Sequence, residues 1–346
     1  MTVRVRTALI LLLTAGLLAF FVRNADLAGV WAEMRRADPG LLLASLLFTA
    51  ATYALRAWRW QYLLRPIGRA PYAPALRATI IGFAASALLP ARAGEIIRPY
   101  LLARREGFST AAAFATIVLE RLLDLVTVLL LFSAFLLFFD PGLAVTDART
   151  FAAIRVGAGG AAVTAVVGLA GLAVLAGHPE RLGRAAGRLE RWLPARMVSV
   201  LERLVARFAA GMAVLRMPSE LARAMAISVP LWMSIAAGIW LAARAFHITL
   251  PLTGSFLVMS LLVVGVAVPT PGAIGGFHAA FRIGVTAFYG ATEEQAVGAA
   301  IVLHAISFVP VSVAGIALMA HEGLSLGRMR SLAGHAGHAE SLGADA

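Results

Sequence analysis

Apolar residues in this chain run in long blocks rather than at alternating positions. A membrane-crossing helix needs about 20 consecutive apolar residues, and six blocks meet that need closely enough to be read as spans. They are Thr7–Val22, Leu41–Leu64, Thr110–Phe139, Phe151–Ala176, Ala224–Phe246 and Glu294–Ala320. Between them lie shorter apolar arms, Leu76–Leu89 and Gly94–Ala103, then Leu252–Val268 and Phe277–Tyr289. Runs of about 10–14 residues suit re-entrant segments better than full spans. The first pair of arms breaks at Pro90 and Gly94, the second at Pro269-Thr270-Pro271-Gly272-Ala273-Ile274-Gly275-Gly276. The pattern therefore predicts an all-α polytopic membrane protein with six full spans and two re-entrant helical hairpins. Strand-like alternation is absent, which argues against an outer-membrane barrel.

The two hairpin blocks read alike. Each is an arm, a Pro-and-Gly break, a short arm, a helix-capping hydroxyl (Ser109 or Thr292) and a span. With the caps superposed, Arg121 falls on His304 and Asp124 on Ser307. The repeat halves are about 76–139 and 252–320. With arginine-rich loops inside, both termini are expected in the cytoplasm, and the hairpins open to opposite faces. Such inverted repeats characterise carriers that work by alternating access. Residues 1–324 are read as one transmembrane domain and 325–346 as a disordered tail. Within the domain, 178–223 has arginines on one face and leucines on the other, as expected of an amphipathic cytoplasmic segment. Arg56, Trp58, Arg59, Trp60 and Tyr62 read as an aromatic–arginine belt at an interface.

Composition agrees: 346 residues, 60% hydrophobic, 14% charged, mean hydropathy +0.85. The net charge is +12, and all 30 basic residues are arginine. The positive-inside rule accounts for this excess, so no nucleic-acid partner is expected. Zero cysteine excludes thiolate metal sites and disulfides. No P-loop, G-x-S-x-G or H-E-x-x-H motif is present, and no cofactor, metal or catalytic residue is assigned. The bacterial-type inner membrane is the expected location.

The candidate chemistry is charge placed within this apolar frame. An ionisable side chain at the bilayer centre costs roughly 2.5–3.5 kcal/mol, so Arg92, Glu95 and Arg98 must pair, face water or lie at the surface. At offsets 0, 3 and 6 they share one broad helix face. A half-helix starting at Gly94 would offer free N–H groups to an anion, beside two guanidinium forks. A lipid phosphate fits. The bland alternative is an interfacial turn in which Glu95 pairs with Arg98. Deep in the third span, Glu120 and Asp124 lie one turn apart, and Arg121 can pair with either or with Glu95; a purely structural ion-pair network is the alternative. The break at Pro269, Pro271, Gly272 and Gly275 exposes main-chain groups tolerated only against protein or water; a mere tight turn is its alternative. His278, Arg282 and His304 lie near it.

At Arg92-x-Gly94-Glu95-x-x-Arg98, Glu120-Arg121-x-x-Asp124 and Pro269-x-Pro271-Gly272-x-x-Gly275, the chain resembles the flippase-like family that includes the transmembrane region of lysylphosphatidylglycerol synthases. The resemblance covers roughly residues 5–322 and looks like a stand-alone member without the soluble synthase domain. It implies a translocator that moves an anionic phospholipid or lipid-linked precursor between leaflets. Arg92, Arg98 and Arg121 would hold the phosphate, and Glu95, Glu120 and Asp124 would hold those arginines. Many members carry an acidic residue where His278 stands and a second glycine where Ala273 stands. Two other classes stay open. One is a membrane-embedded lipid-modifying enzyme using Glu95 or His278. The other is a scaffold for a separate lipid- or glycolipid-synthesising enzyme.

Overall fold

The computed structural model describes residues 25–89, 92–138, 207–267 and 270–323, with scattered helical positions within 12–21 and 152–171. The expected first and fourth spans, most of the amphipathic segment and the tail therefore lie outside the described residues, as do Pro90 and Pro269.

Among the described residues the regular structure is helical, and the boundaries follow capping chemistry. Asp26 accepts from the backbone N–H groups of Ala28 and Gly29 and starts α1, Leu27–Arg36. Asp38 does the same for Gly40 and Leu41, ahead of Pro39 at the first position of α2, Pro39–Leu64. Next come α3, Tyr72–Leu88, and α4, Gly94–Glu106, which ends on Gly107 in the left-handed region at φ 73°. The Ser109 hydroxyl lies 3.5 Å from the Ala112 N–H at the start of α5, Thr110–Phe138. Then follow α6, Pro218–Ala245, α7, Gly254–Ala267, a 3₁₀ turn at Pro271–Ala273, and α8, Gly276–Tyr289. A reciprocal capping box between Thr292 and Gln295 opens α9, Glu293–His321. By length and composition α2, α5, α6 and α9 can each cross a membrane, whereas α3 and α7 are shorter apolar helices. This is an integral membrane protein by its helices.

Helices α2 and α6 pack along their length in antiparallel fashion. Ser45 donates to the Gly238 carbonyl at 2.8 Å, Thr52 and Ser234 share a hydrogen bond at 3.0 Å, and Arg59 donates to Ser228 at 2.9 Å. Hydroxyls between apolar helices act as such glue. The large core around α6 to α9 includes Phe246, Phe281 and Leu231, and a second core gathers Trp60, Leu63, Leu102 and Leu119.

The two hairpins are closed in the same way, by glycine against glycine. A Cβ on Gly94 would overlap the Gly82 carbonyl of α3, and a Cβ on Gly265 would overlap the Gly276 carbonyl of α8. Only glycine permits backbones to come this close. The hairpins also meet tip to tip. Ala84 and Ile80 of α3 face Gly315 of α9, while the break end of α3 at Ala87 faces Gly272, near His304. Thus α3 runs against α9. Because α8 pairs antiparallel with both α7 and α9, α7 runs with α9 and is directed opposite to α3.

Two expectations change here. Arg92 is not on the face of the α4 helix, because it sits before Gly94 at φ 51°, in the left-handed region. The chain must turn sharply at this point to let Gly94 lie against Gly82. Arg56, Arg59 and Trp60 are not an interfacial belt: they are 6%, 0% and 0% exposed. Carboxylates from α5 draw both guanidinium groups inward, and of this segment Trp58 alone is largely exposed, at 46%.

Candidate functional site

A cavity of about 630 Å³ opens where the two breaks meet. Its polar end is lined by Arg56, Arg92, Glu95, Arg98, Arg121 and Asp124. Apolar side chains of α6 and α7, including Ile235, Ile239, Leu262, Val263 and Val266, line much of the rest, with Phe83, Phe277 and Phe308. One space thus holds ionic groups and room for hydrocarbon side by side.

The ionic end is a network with a buried floor and a reachable rim. In the floor, Arg98 donates to Glu120 at 2.9 Å, and Arg59 and Arg56 approach the same carboxylate at 3.6 and 3.7 Å. Asp124 is met by Arg59 at 2.7 Å, Arg56 at 3.2 Å and Arg121 at 3.3 Å, and accepts from the Trp232 indole N–H at 3.0 Å. The Arg98 guanidinium also lies 4.0 Å from the Trp60 ring centre, a cation–π contact, and the Trp60 indole N–H donates to Thr116. Burying charge of this kind is tolerable only with such pairing. At the rim, Glu95 lies between Arg92 at 3.8 Å and Arg121 at 3.5 Å. These rim side chains are 43%, 33% and 37% exposed for Arg92, Glu95 and Arg121, so a ligand can reach them. Five guanidinium groups therefore face three carboxylates, which leaves two positive charges in excess.

Of the residues singled out in the sequence, Arg92, Gly94, Glu95, Arg98, Arg121, Asp124 and Gly272 line this cavity, and Glu120 stands directly behind it. Glu95 does not pair with Arg98, which faces away toward Glu120 in α5. The second break contributes its backbone. Arg92 donates to the Val266 carbonyl at 2.5 Å, and His304 Nε2–H donates to the Gly272 carbonyl at 2.7 Å. Gly272 and Gly275 take positive φ values of 59° and 92°, and His278 Nδ1 accepts from the Gly275 N–H at 3.4 Å. The His278 and His304 rings lie 4.6 Å apart, with Phe277 against both and Phe308 stacked on His304, and support the turn from behind. Arg282 sits midway along α8, bound to Glu293 at 2.5 and 3.0 Å, and is not among the residues that line the cavity. Pro271 opens the 3₁₀ turn. Sequence reasoning missed Arg56, Arg59 and Trp232. Their signal was an ionisable or indole group inside a span, with unpaired carboxylates in another span to receive it.

Comparison with known proteins fits this geometry. Residues 7–315 match the family described as Lysylphosphatidylglycerol synthase TM region. The chain is also similar to "Glycosyltransferase AglD" of Haloferax volcanii, with 27% identity over 347 aligned positions. The match takes in 91% of this chain and 54% of that protein, so the chain spans about half the length of this curated relative. With most of its length matched, the chain belongs to the lysylphosphatidylglycerol synthase transmembrane-region family.

Proposed function

We propose that the protein is a lipid translocator that carries an anionic phospholipid or lipid-linked precursor between leaflets of the bacterial-type inner membrane. The observation that carries this reading is one cavity with an excess of two positive charges at one end and apolar walls beside it. A phosphate headgroup offsets the charge, and its acyl or prenyl chain lies along α6 and α7. The six-span arrangement with two re-entrant hairpins belongs to this proposal. In it, α3–α4 and α7–α8 enter from opposite membrane faces and meet near the midplane, which is the architecture of alternating access. Each hairpin tip then forms one side of a gate around the bound headgroup. Arg92 and Arg121 hold the phosphate directly, and Arg98, fixed by Glu120, supplies positive potential from behind.

A reading as a membrane-embedded lipid-modifying enzyme draws on the similarity to the Haloferax volcanii glycosyltransferase. It also predicts a charged, lipid-accessible cavity, but it requires turnover. The deciding experiment reconstitutes purified protein in vesicles that carry a fluorescent phosphatidic acid and follows both its leaflet distribution and its chemical identity. Movement of intact lipid above protein-free vesicles supports translocation. Unmoved lipid, or lipid converted to a new species, refutes it.

A further inference from the structure

The carboxylates of the cavity are spoken for, and this restricts what can bind. Asp124 is engaged by three guanidinium groups and an indole N–H, Glu120 by Arg98, Arg59, Arg56 and, at 4.0 Å, Arg121, and Glu95 by Arg92 and Arg121. Among the described residues every carboxylate of the site therefore already faces at least two guanidinium groups, and Glu120 is fully buried behind the cavity. An amine placed there meets net repulsion from the two excess positive charges. An anion meets the reverse, reinforced by apolar walls that lower the local dielectric.

We infer that this cavity selects a headgroup carrying about two negative charges and no ammonium, a lipid phosphomonoester or diphosphate, and rejects an aminoacylated one. A phosphomonoester carries about −1.5 to −2 at neutral pH, which matches the excess, whereas a phosphodiester supplies one charge. The inference rests on the same site as the translocator reading and specifies what that site takes. Glu95 sets the selectivity: it is the one rim carboxylate among the described residues, and it trims the positive charge that Arg92 and Arg121 present to the opening.

The test measures equilibrium binding to the full chain in detergent micelles, separately from transport in vesicles. The probes are dioctanoyl phosphatidic acid, dioctanoyl phosphatidylglycerol, dioctanoyl phosphatidylcholine, lysyl-phosphatidylglycerol and farnesyl diphosphate. Phosphatidic acid or farnesyl diphosphate should bind tightest, and whichever of the two leads identifies the source of the dianion. Affinity should fall roughly tenfold for each negative charge removed, with lysyl-phosphatidylglycerol weakest. Arg92→Gln, at an exposed turn, should narrow the phosphatidic acid to phosphatidylglycerol preference to roughly twofold, and Glu95→Gln should widen it. Equal or tighter binding of lysyl-phosphatidylglycerol overturns the inference, and so does an unchanged preference in both variants. If the binding order holds but vesicles show no lipid movement, the headgroup assignment stands and the translocator reading fails. If lysyl-phosphatidylglycerol is moved fastest, translocation stands and the assignment fails.

Discussion

Replacing Glu120 with glutamine removes the charge of a fully buried carboxylate while keeping its shape. At an effective dielectric of about 20, each of its three nearest guanidinium contacts, at 2.9 to 3.7 Å, represents about 4–6 kcal/mol of attraction. Most of that is offset by the desolvation of the ions, so the net loss on breaking such a buried pair is about 3–5 kcal/mol. The excess charge around the site rises from two to three. Adding Arg98→Gln to Glu120→Gln returns the excess to two, so the double variant should recover about 1–3 kcal/mol relative to the sum of the single losses. The assay is reversible unfolding in mixed detergent micelles, following tryptophan fluorescence, on wild type, both singles and the double. Strict additivity, or a Glu120→Gln loss below about 1 kcal/mol, would refute the claim that charge balance holds this floor together.

Three further outcomes follow from local geometry. Trp232→Phe keeps the ring but removes the hydrogen bond to Asp124, and should cost about 1.5–3 kcal/mol in the same unfolding assay. Gly94→Ala and Gly265→Ala each drive a methyl group into a facing backbone carbonyl, and each should cost about 1–3 kcal/mol or more, read as lowered thermal stability in detergent. Alanine at Gly107, where a Cβ meets nothing, should be milder despite its positive φ. Accessibility labelling of cysteine at Ser109 and at Thr292 should place the two caps on opposite membrane faces, and labelling of both from one face contradicts the opposed hairpins.

What the sequence disclosed and what it hid divide along physical lines. Length and apolar content are local properties, so α2, α5 and α9 were legible to within two residues, and proline with glycine marked both breaks; α6 begins six residues before the expected span, within the segment read as amphipathic. The Thr292 cap was readable because its partner, Gln295, is three residues away. The charged network was half readable. Arg121 has its partners at one helical turn and at Glu95, both weighed from spacing alone. Arg56 and Arg59 were misread because arginines beside tryptophans at a span's end have the same composition as an interfacial belt. Their partners are more than 60 positions away in α5, and only packing brings them together. The glycine pairs were hidden for a similar reason: a glycine in an apolar arm announces close approach but not to which backbone. Arg282 reads as part of the second break, yet it lies midway along α8, where the salt bridge to Glu293 ties it to the start of α9.

The central claim is that the meeting point of the two hairpin tips is the crossing path for lipid. Because the chain has no cysteine, a pair introduced at Ala87 and Gly272, which lie against each other across the two tips, can be joined by a short cleavable thiol cross-linker without competing sites. The decisive measurement is fluorescent phosphatidic acid movement in vesicles before cross-linking, after it, and after cleavage. Movement should stop when the tips are joined and return when the linker is cut. Transport at the full rate through cross-linked protein would contradict the account.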